Sequence, residues 1–490
     1  MRTLTDHCKS VAASGALVPL LAFLAGFAII LDPQTWFHDG DTYWHITAGG
    51  WMLDHRQVPL NDVFSYSFAN HPWVAHEWLS EIIMALAWRL AGWNGIILLF
   101  AATLGLTLGL LAHHLGRWMN PPGTILLTLL AAACIGPVLM ARPHILALPV
   151  LELWTAGLLD ARARGRTPQP WLLALMPLWA NLHGSFIFGI ALTAPLALEA
   201  TIAAGPGWRK AAARWSLFIL AAIVFATVTP HGISGLVFPL QLMRLKVLAN
   251  ISEWQSPDFQ KLQPIELTLM VLLYFGLSRG VRLPIIRLLV ALGLLHLALQ
   301  HARHQMLVGI VGTLILAEPL ARELGATAAR ASRRAAALLP WAILGLPLVL
   351  VMIFARFQHP LVRGEDRSTP AAALAAVPAA IRTTPVLNQY IFGGYLIFEG
   401  VPPFVDGRTD MYGDDFLSAY DAALKPNRAA FTKLADKYHF GWTILDATSP
   451  ANDMLDALPG WRRIYADKIA VVHVRADLLP PDFVTAPAPP

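Results

Sequence analysis

Charge is what this sequence lacks. Only 14% of its 490 residues are Asp, Glu, Lys or Arg, against roughly 25% in an ordinary soluble domain, while 56% are hydrophobic. A compact soluble core cannot absorb that excess, which excludes a soluble globular enzyme. Cysteine is scarcer still. Cys8 and Cys134 are the whole complement, so a disulfide scaffold and a thiolate metal site are both excluded. Basic stripes with interleaved aromatics are also missing. The formal net charge of +5 therefore bears on membrane orientation and not on nucleic acid, which is excluded as a partner. Nor does the first apolar run, Val11 to Leu31, end in a small-x-small cleavage pattern. It runs into Asp32-Pro33-Gln34 and reads as an uncleaved first span.

What is present is a series of apolar runs, recurring almost to position 356. About 20 helical residues cross a bilayer, and eleven spans are predicted: near 11–31, 93–112, 123–141, 144–159, 171–182, 184–204, 215–229, 265–278, 284–300, 305–320 and 338–356. With the amino terminus in the cytoplasm, the inner loops carry thirteen basic residues, from Arg117 through Arg162, Arg164, Arg166 and Arg209 to Arg334. The outer connections, about twice as long, carry roughly half as many, which satisfies the positive-inside rule. The expected organisation is a helical polytopic membrane domain over 1–356, a small extracytoplasmic α/β domain over 357–478 and a proline-rich tail over 479–490.

Within the membrane domain, 32–92 forms a long first outer loop dense in tryptophan: Trp36, Trp44, Trp51, Trp73, Trp78 and Trp88. Such density marks the headgroup level. Trp78, Leu79, Ile82, Ile83, Leu86 and Leu90 recur at helical spacing, with Glu77 and Glu81 on the polar side. That pattern predicts an interfacial amphipathic helix. In the α/β region, 385–388, 395–398, 403–406, 442–445 and 469–474 read as strands, and 416–424 and 428–438 as helices.

The polar residues of the expected outer face converge. Asp39, Asp41, His45, His76 and Glu77 lie in the first loop; Arg142 and His144 in a tight turn; Asn181 and His183 before Gly184; Glu253 and Asp258 in one connection; and His301, Arg303 and His304 at the end of a span. Each alone has a plain reading as a cap or a snorkelling side chain. Together, ionisable groups at a membrane surface point to a functional site. Carboxylates there can accept a proton from an acceptor hydroxyl, or can hold a hard divalent metal such as Mg²⁺ or Mn²⁺. Arginines can grip a phosphate leaving group through their planar fork. His38, His45 and His76 offer zinc as an alternative, although their spacing fits no established zinc pattern. A transporter or flippase would place its polar residues at the midplane, within paired broken helices. That reading, and a non-enzymatic membrane assembly protein, stand as alternatives.

The acidic pair Asp39-Gly40-Asp41, directly after the first span, resembles the paired acidic motif of the GT-C superfamily of integral-membrane glycosyltransferases. The similarity is to bacterial members related to protein O-mannosyltransferases and aminoarabinose transferases. Trp179-Ala180-Asn181-Leu182-His183-Gly184, Ile251-Ser252-Glu253-Trp254 and Asp406-Gly407-Arg408-Thr409-Asp410 look like segments of one bacterial branch of it. The resemblance covers 11–356 and implies a polyprenyl-phosphate sugar donor, a glycan, lipid or protein acceptor, and surrounding membrane lipids as partners. It also implies an inner-membrane location with the carboxy-terminal domain outside. On that basis Asp39 and Asp41 are the expected catalytic pair, with a divalent metal as a further role for both. His45, His76, Glu77, Arg142, His144, Asn181, His183, Glu253, Arg303 and His304 are the expected substrate-binding residues.

Overall fold

The computed structural model describes residues 17–323 and 338–480. Cys8, the beginning of the first expected span, Arg330, Arg333 and Arg334 and the tail from 481 onward lie outside the described residues. The chain divides into two compact units. One comprises Met1–Pro33, Asn94–Pro239 and Ala249–Pro360; the other comprises Gln34–Trp93, Leu240–Leu248 and Leu361–Pro490.

The first unit is helical. Each of the eleven expected apolar stretches contains a helix, because an apolar backbone withdrawn from water must satisfy its polar groups internally. Five helices are long and apolar enough to cross a membrane: Trp78–Leu115, Pro121–Val138, Pro143–Ala163, Phe186–Ala203 and Ala302–Glu323. Leu17–Leu31, Pro170–Leu182, Gly232–Leu242, Ile285–Gln300 and Gly345–Gln358 are shorter and apolar. Gly232–Leu242 is an addition to the expected set, a short apolar helix that carries Pro239.

Close approach of helices depends on small residues. Gly105 and Gly109, four apart, face Leu17–Leu31, where a Cβ on Gly105 would come within 2.9 Å of the Phe23 carbonyl oxygen. This is the small-xxx-small packing of membrane helices, in which dispersion between backbones replaces a hydrophobic driving force. The buried charge of Arg287 in this unit is paired. Arg287, 3% exposed, donates Nε to both oxygens of Glu199 at 3.2 and 3.1 Å and Nη1 to Glu318 at 3.0 Å.

The second unit is built on a four-stranded sheet: β1 (Val386–Asn388), β2 (Trp442–Asp446), β3 (Trp461–Ala466) and β4 (Ala470–Arg475). The order is β1-β2-β4-β3, with β1 parallel to β2 and the other pairings antiparallel. β3 is an addition to the expected strands, since its Arg462-Arg463 lacks an apolar alternation. Two expected strands are corrected. Residues 395–398 belong to the helix Gly393–Phe398, because a short buried apolar run has no period to distinguish strand from helix. Residues 403–406 pair with no strand. Instead, buried Asn388 accepts from Phe404 N at 2.8 Å and donates to Val405 O at 2.8 Å, so a side chain satisfies that backbone.

The predicted amphipathic stretch forms a helix. It begins at Trp78 and breaks at Ala91 and Gly92, where φ of Gly92 is +56°. Its acidic side faces inward: Glu81 is 1% exposed, whereas Leu86 and Leu90 are 45% and 85% exposed. Burying the acid means that Glu81 has to find polar partners within the unit.

Candidate functional site

In the first unit, three separate connections build a cluster around one carboxylate. The short helical turn Ser252–Trp254 presents Glu253. Arg142, immediately before Pro143–Leu146, reaches Glu253 Oε2 with Nη1 at 3.3 Å, and Arg303 reaches Oε1 at 3.2 Å. Arg303 also lies over the Trp254 ring, 4.4 Å from its centroid, which holds the guanidinium plane in place. Burial acts to raise the Glu253 carboxyl, but the two guanidiniums outweigh it and hold it at about 2. It is ionised at any physiological pH.

Histidines surround this group. His144 and His183 rings are 6.0 Å apart, and His304 packs 6.0 Å from Trp254 and 5.5 Å from Phe188. His144 contacts the Val138 carbonyl oxygen through Nε2 at 2.9 Å, while His183 Nδ1 accepts from Ser185 N at 3.0 Å. Asn181 ties backbone together, donating Nδ2 to Pro177 O and Val228 O at 2.7 and 2.8 Å. Thus Arg142, His144, His183, Glu253, Arg303 and His304 are brought together, with Asn181 in a bracing position.

A second cluster is acidic and belongs to the second unit. Asp41 opens the helix Asp41–His55, with Asp39 two residues earlier. Arg363 donates Nη2 to the Asp39 backbone oxygen at 3.0 Å and stacks over Phe37 and Tyr43, fixing the course of the loop. Further along, His45 Nδ1 is 3.2 Å from Glu81 Oε1 and Nε2 is 4.0 Å from Glu77 Oε2, with His76 Nε2 3.6 Å from Glu77 Oε1. Gly49 allows this meeting of helices, since a Cβ there would collide with the Glu81 backbone.

The segment 406–410 completes the cluster. Arg408 is fully buried and donates to Asp406 Oδ1 at 2.8 Å, Asp406 Oδ2 at 2.6 Å and Asp62 Oδ1 at 2.5 Å. Burial opposes its charge, yet Asp406 outweighs that effect and raises the guanidinium further. The rigid turn presses Gly407 against the carboxylate of Asp41. Asp410, which closes the 406–410 segment, is pushed above the usual carboxylate range by burial, with His76 drawing it back.

Among the described residues, the set with converging metal-ligating atoms is His45, Glu77 and Glu81, all within 4.8 Å of one another. Glu81 Oε2 is buried without a hydrogen-bond partner, an orphaned acceptor that a cation would satisfy. Two carboxylates and an imidazole suit Mn²⁺ or Zn²⁺ better than Mg²⁺, which prefers oxygen alone. Glu81 was expected only on the polar side of a surface helix; its spacing of four residues from Glu77 was the available signal.

No protein-family model matches the chain, and no curated protein matches it in sequence. Solved structures do match. The oligosaccharyltransferase of Archaeoglobus fulgidus, in its apo form, superposes with a TM-score of 0.53 at 10% identity, over 87% of this chain and 69% of that one. ArnT from Cupriavidus metallidurans, bound to undecaprenyl phosphate, superposes with a TM-score of 0.51 at 14% identity, over 95% of this chain and 99% of that one. These likenesses are of fold. The chain shares the fold of these two proteins over most of its length, and among its described residues five helices are long and apolar enough to cross a membrane.

Proposed function

We propose that this protein is a glycosyltransferase that moves a sugar from a polyprenyl-phosphate donor to an extracytoplasmic acceptor at the bacterial inner membrane. The observation that carries the reading is the pair of guanidiniums, Arg142 and Arg303, converging on Glu253, in a fold like that of a protein crystallised with undecaprenyl phosphate. Two arginines held on one small anionic group have the chemistry to hold a phosphate in the same way.

In the proposed reaction the acceptor hydroxyl oxygen attacks the anomeric carbon of the donor. The bond from that carbon to the phosphate oxygen breaks, and the polyprenyl phosphate leaves with the electron pair. Arg142 and Arg303 neutralise its developing charge. The hydroxyl proton passes to the Asp39 carboxylate, and Asp41 orients the loop that carries it. His45, Glu77 and Glu81 would hold a divalent cation, which supplies positive charge beside the acidic loop. His76, His144, Asn181, His183 and His304 serve as substrate contacts or their supports. All eleven apolar stretches span the membrane, with the amino terminus inside and the domain after 357 outside.

Two measurements test this reading. A reporter fused after Pro490 should be active only outside the cytoplasm, and one inserted near Arg164 only inside; the reverse pattern would place the acidic loop on the wrong side. Purified protein in nanodiscs should bind undecaprenyl phosphate and transfer sugar from a synthetic polyprenyl-phosphate donor to a panel of glycans, lipids and peptides. Absence of any phosphate-dependent binding would sink the assignment.

A further inference from the structure

Glu253 is held by its arginines less firmly than the buried carboxylate Asp406 is held by Arg408. Arg142 reaches it through Nη1 at 3.4 and 3.3 Å from the two oxygens, and Arg303 through Nη1 at 3.2 Å. Charge-assisted N–H···O bonds settle at about 2.7–2.9 Å. Asp406, in contrast, accepts from Arg408 N, Nε and Nη2 and from the Tyr412 hydroxyl at 2.6 to 3.0 Å. Exposure separates the two sites as well. The side chains of Arg142, Glu253 and Arg303 are 23%, 15% and 20% exposed, whereas those of Arg408 and Asp406 are fully buried. Solvent reaches one ion pair and not the other.

The backbone that carries Glu253 is pinned on its carboxyl side. His301 Nδ1 reaches the Trp254 carbonyl oxygen at 2.5 Å, Ala302 N donates to Gln255 O at 2.9 Å, and Ser256 Oγ donates to Gln300 O at 3.3 Å. The carboxylate itself has only the two arginines as hydrogen-bond partners among the described residues. Rotation about its own side-chain torsions therefore releases it, with no shift of the main chain.

A carboxylate and the two non-bridging oxygens of a phosphodiester are alike in acceptor number and in charge. Each presents two oxygens and one negative charge to a pair of guanidiniums. Exchange of one for the other leaves the local charge as it was. Glu253 is ionised, so it offsets the repulsion that two converging guanidiniums would otherwise meet in a partly desolvated space. Like-for-like exchange avoids that uncompensated state at every stage of binding.

We propose that Glu253 stands in for the donor phosphate: it occupies the clamp of Arg142 and Arg303 when no donor is bound, and swings out as a lipid-linked phosphodiester enters. It is an internal competitor, and it determines how tightly lipid phosphates are held. The inference rests on the donor site proposed above and adds to it a rival ligand carried by the chain itself.

The test is titration of the full-length protein in nanodiscs with undecaprenyl phosphate, its methyl diester and uncharged undecaprenol. Glu253→Gln removes the competing charge and should tighten both phosphates about tenfold, with undecaprenol unchanged. Glu253→Asp keeps the charge but ends one methylene short of the clamp, so it should tighten both by a smaller factor; it carries the test alone if the Gln variant does not fold. Phosphate affinity that is unchanged or weaker in the folded variants would overturn the proposal, leaving the arginines as the donor site and Glu253 as their brace. An equal gain for undecaprenol would show general loosening of the protein and would overturn it too. Absence of phosphate binding in wild type and variants alike would remove the donor site itself, and this inference with it.

Discussion

Gly407 lies so close to Asp41 that a Cβ at position 407 would overlap the Asp41 carboxylate. The position of that carboxylate is therefore set from 366 residues away in sequence, by a turn that Arg408 and Asp406 hold rigid. Gly407→Ala should displace Asp41 while leaving Arg408 paired. Turnover should fall about as far as in Asp41→Asn, with the melting temperature shifted by only a few degrees. Full activity in Gly407→Ala would show that the position of Asp41 is immaterial.

Asp39→Asn keeps size and hydrogen-bonding capacity but removes the basic oxygen. Transfer should fall by roughly two to four orders of magnitude if Asp39 is the general base, with expression unchanged. Asp41→Asn should lose less. Near-normal transfer in Asp39→Asn would move the role to Glu77, and the rate of Glu77→Gln checks that.

Arg142→Lys and Arg303→Lys keep charge but lose the planar fork, so undecaprenyl phosphate should bind more weakly in both, as read by titration in nanodiscs. Glu253 gives the accompanying pH signature. Its folded carboxyl is held at about 2, below its unfolded value, so the stability it contributes is fully present above the ordinary carboxylate range. That contribution declines as pH falls through about 4 toward 2. In Glu253→Gln this acid limb of the stability curve should flatten, and an unaltered limb would show that the pairing contributes nothing.

Arg408→Ala should be among the most destabilising single changes in the second unit. It leaves Asp406 and Asp62 buried without their cation, a loss of about 3–5 kcal/mol, visible as a lower midpoint in thermal unfolding. Arg408→Lys should recover only part, because one ammonium cannot reproduce the two-oxygen contact with Asp406 and the bond to Asp62 at once.

The membrane helices were legible because apolar length alone specifies them, and so was the gathering of Arg142, Glu253 and Arg303, which follows once topology is assigned. The burial of Glu81 had no local signal. Amphipathicity gives two faces of a helix but not which of them meets lipid, and here the apolar face carrying Leu90 is the exposed one. The joining of 34–93 with 361–490 had no local signal, since it rests on pairs such as Asp62 with Arg408 and Tyr66 with Val386. β3 was missed because Arg462 and Arg463 interrupt the alternation that marks a strand.

The contact of Asp62 with Arg408 spans 346 residues, and it sets a clock on biogenesis. At ribosomal rates of roughly 5–20 residues per second, Asp62 waits about 20–70 s for its cation to be synthesised. Throughout that interval every intervening membrane helix is made while 34–93 still lacks its permanent partners. The acidic loop thus matures last although it is made almost first, and a chain truncated before position 408 would carry it unassembled.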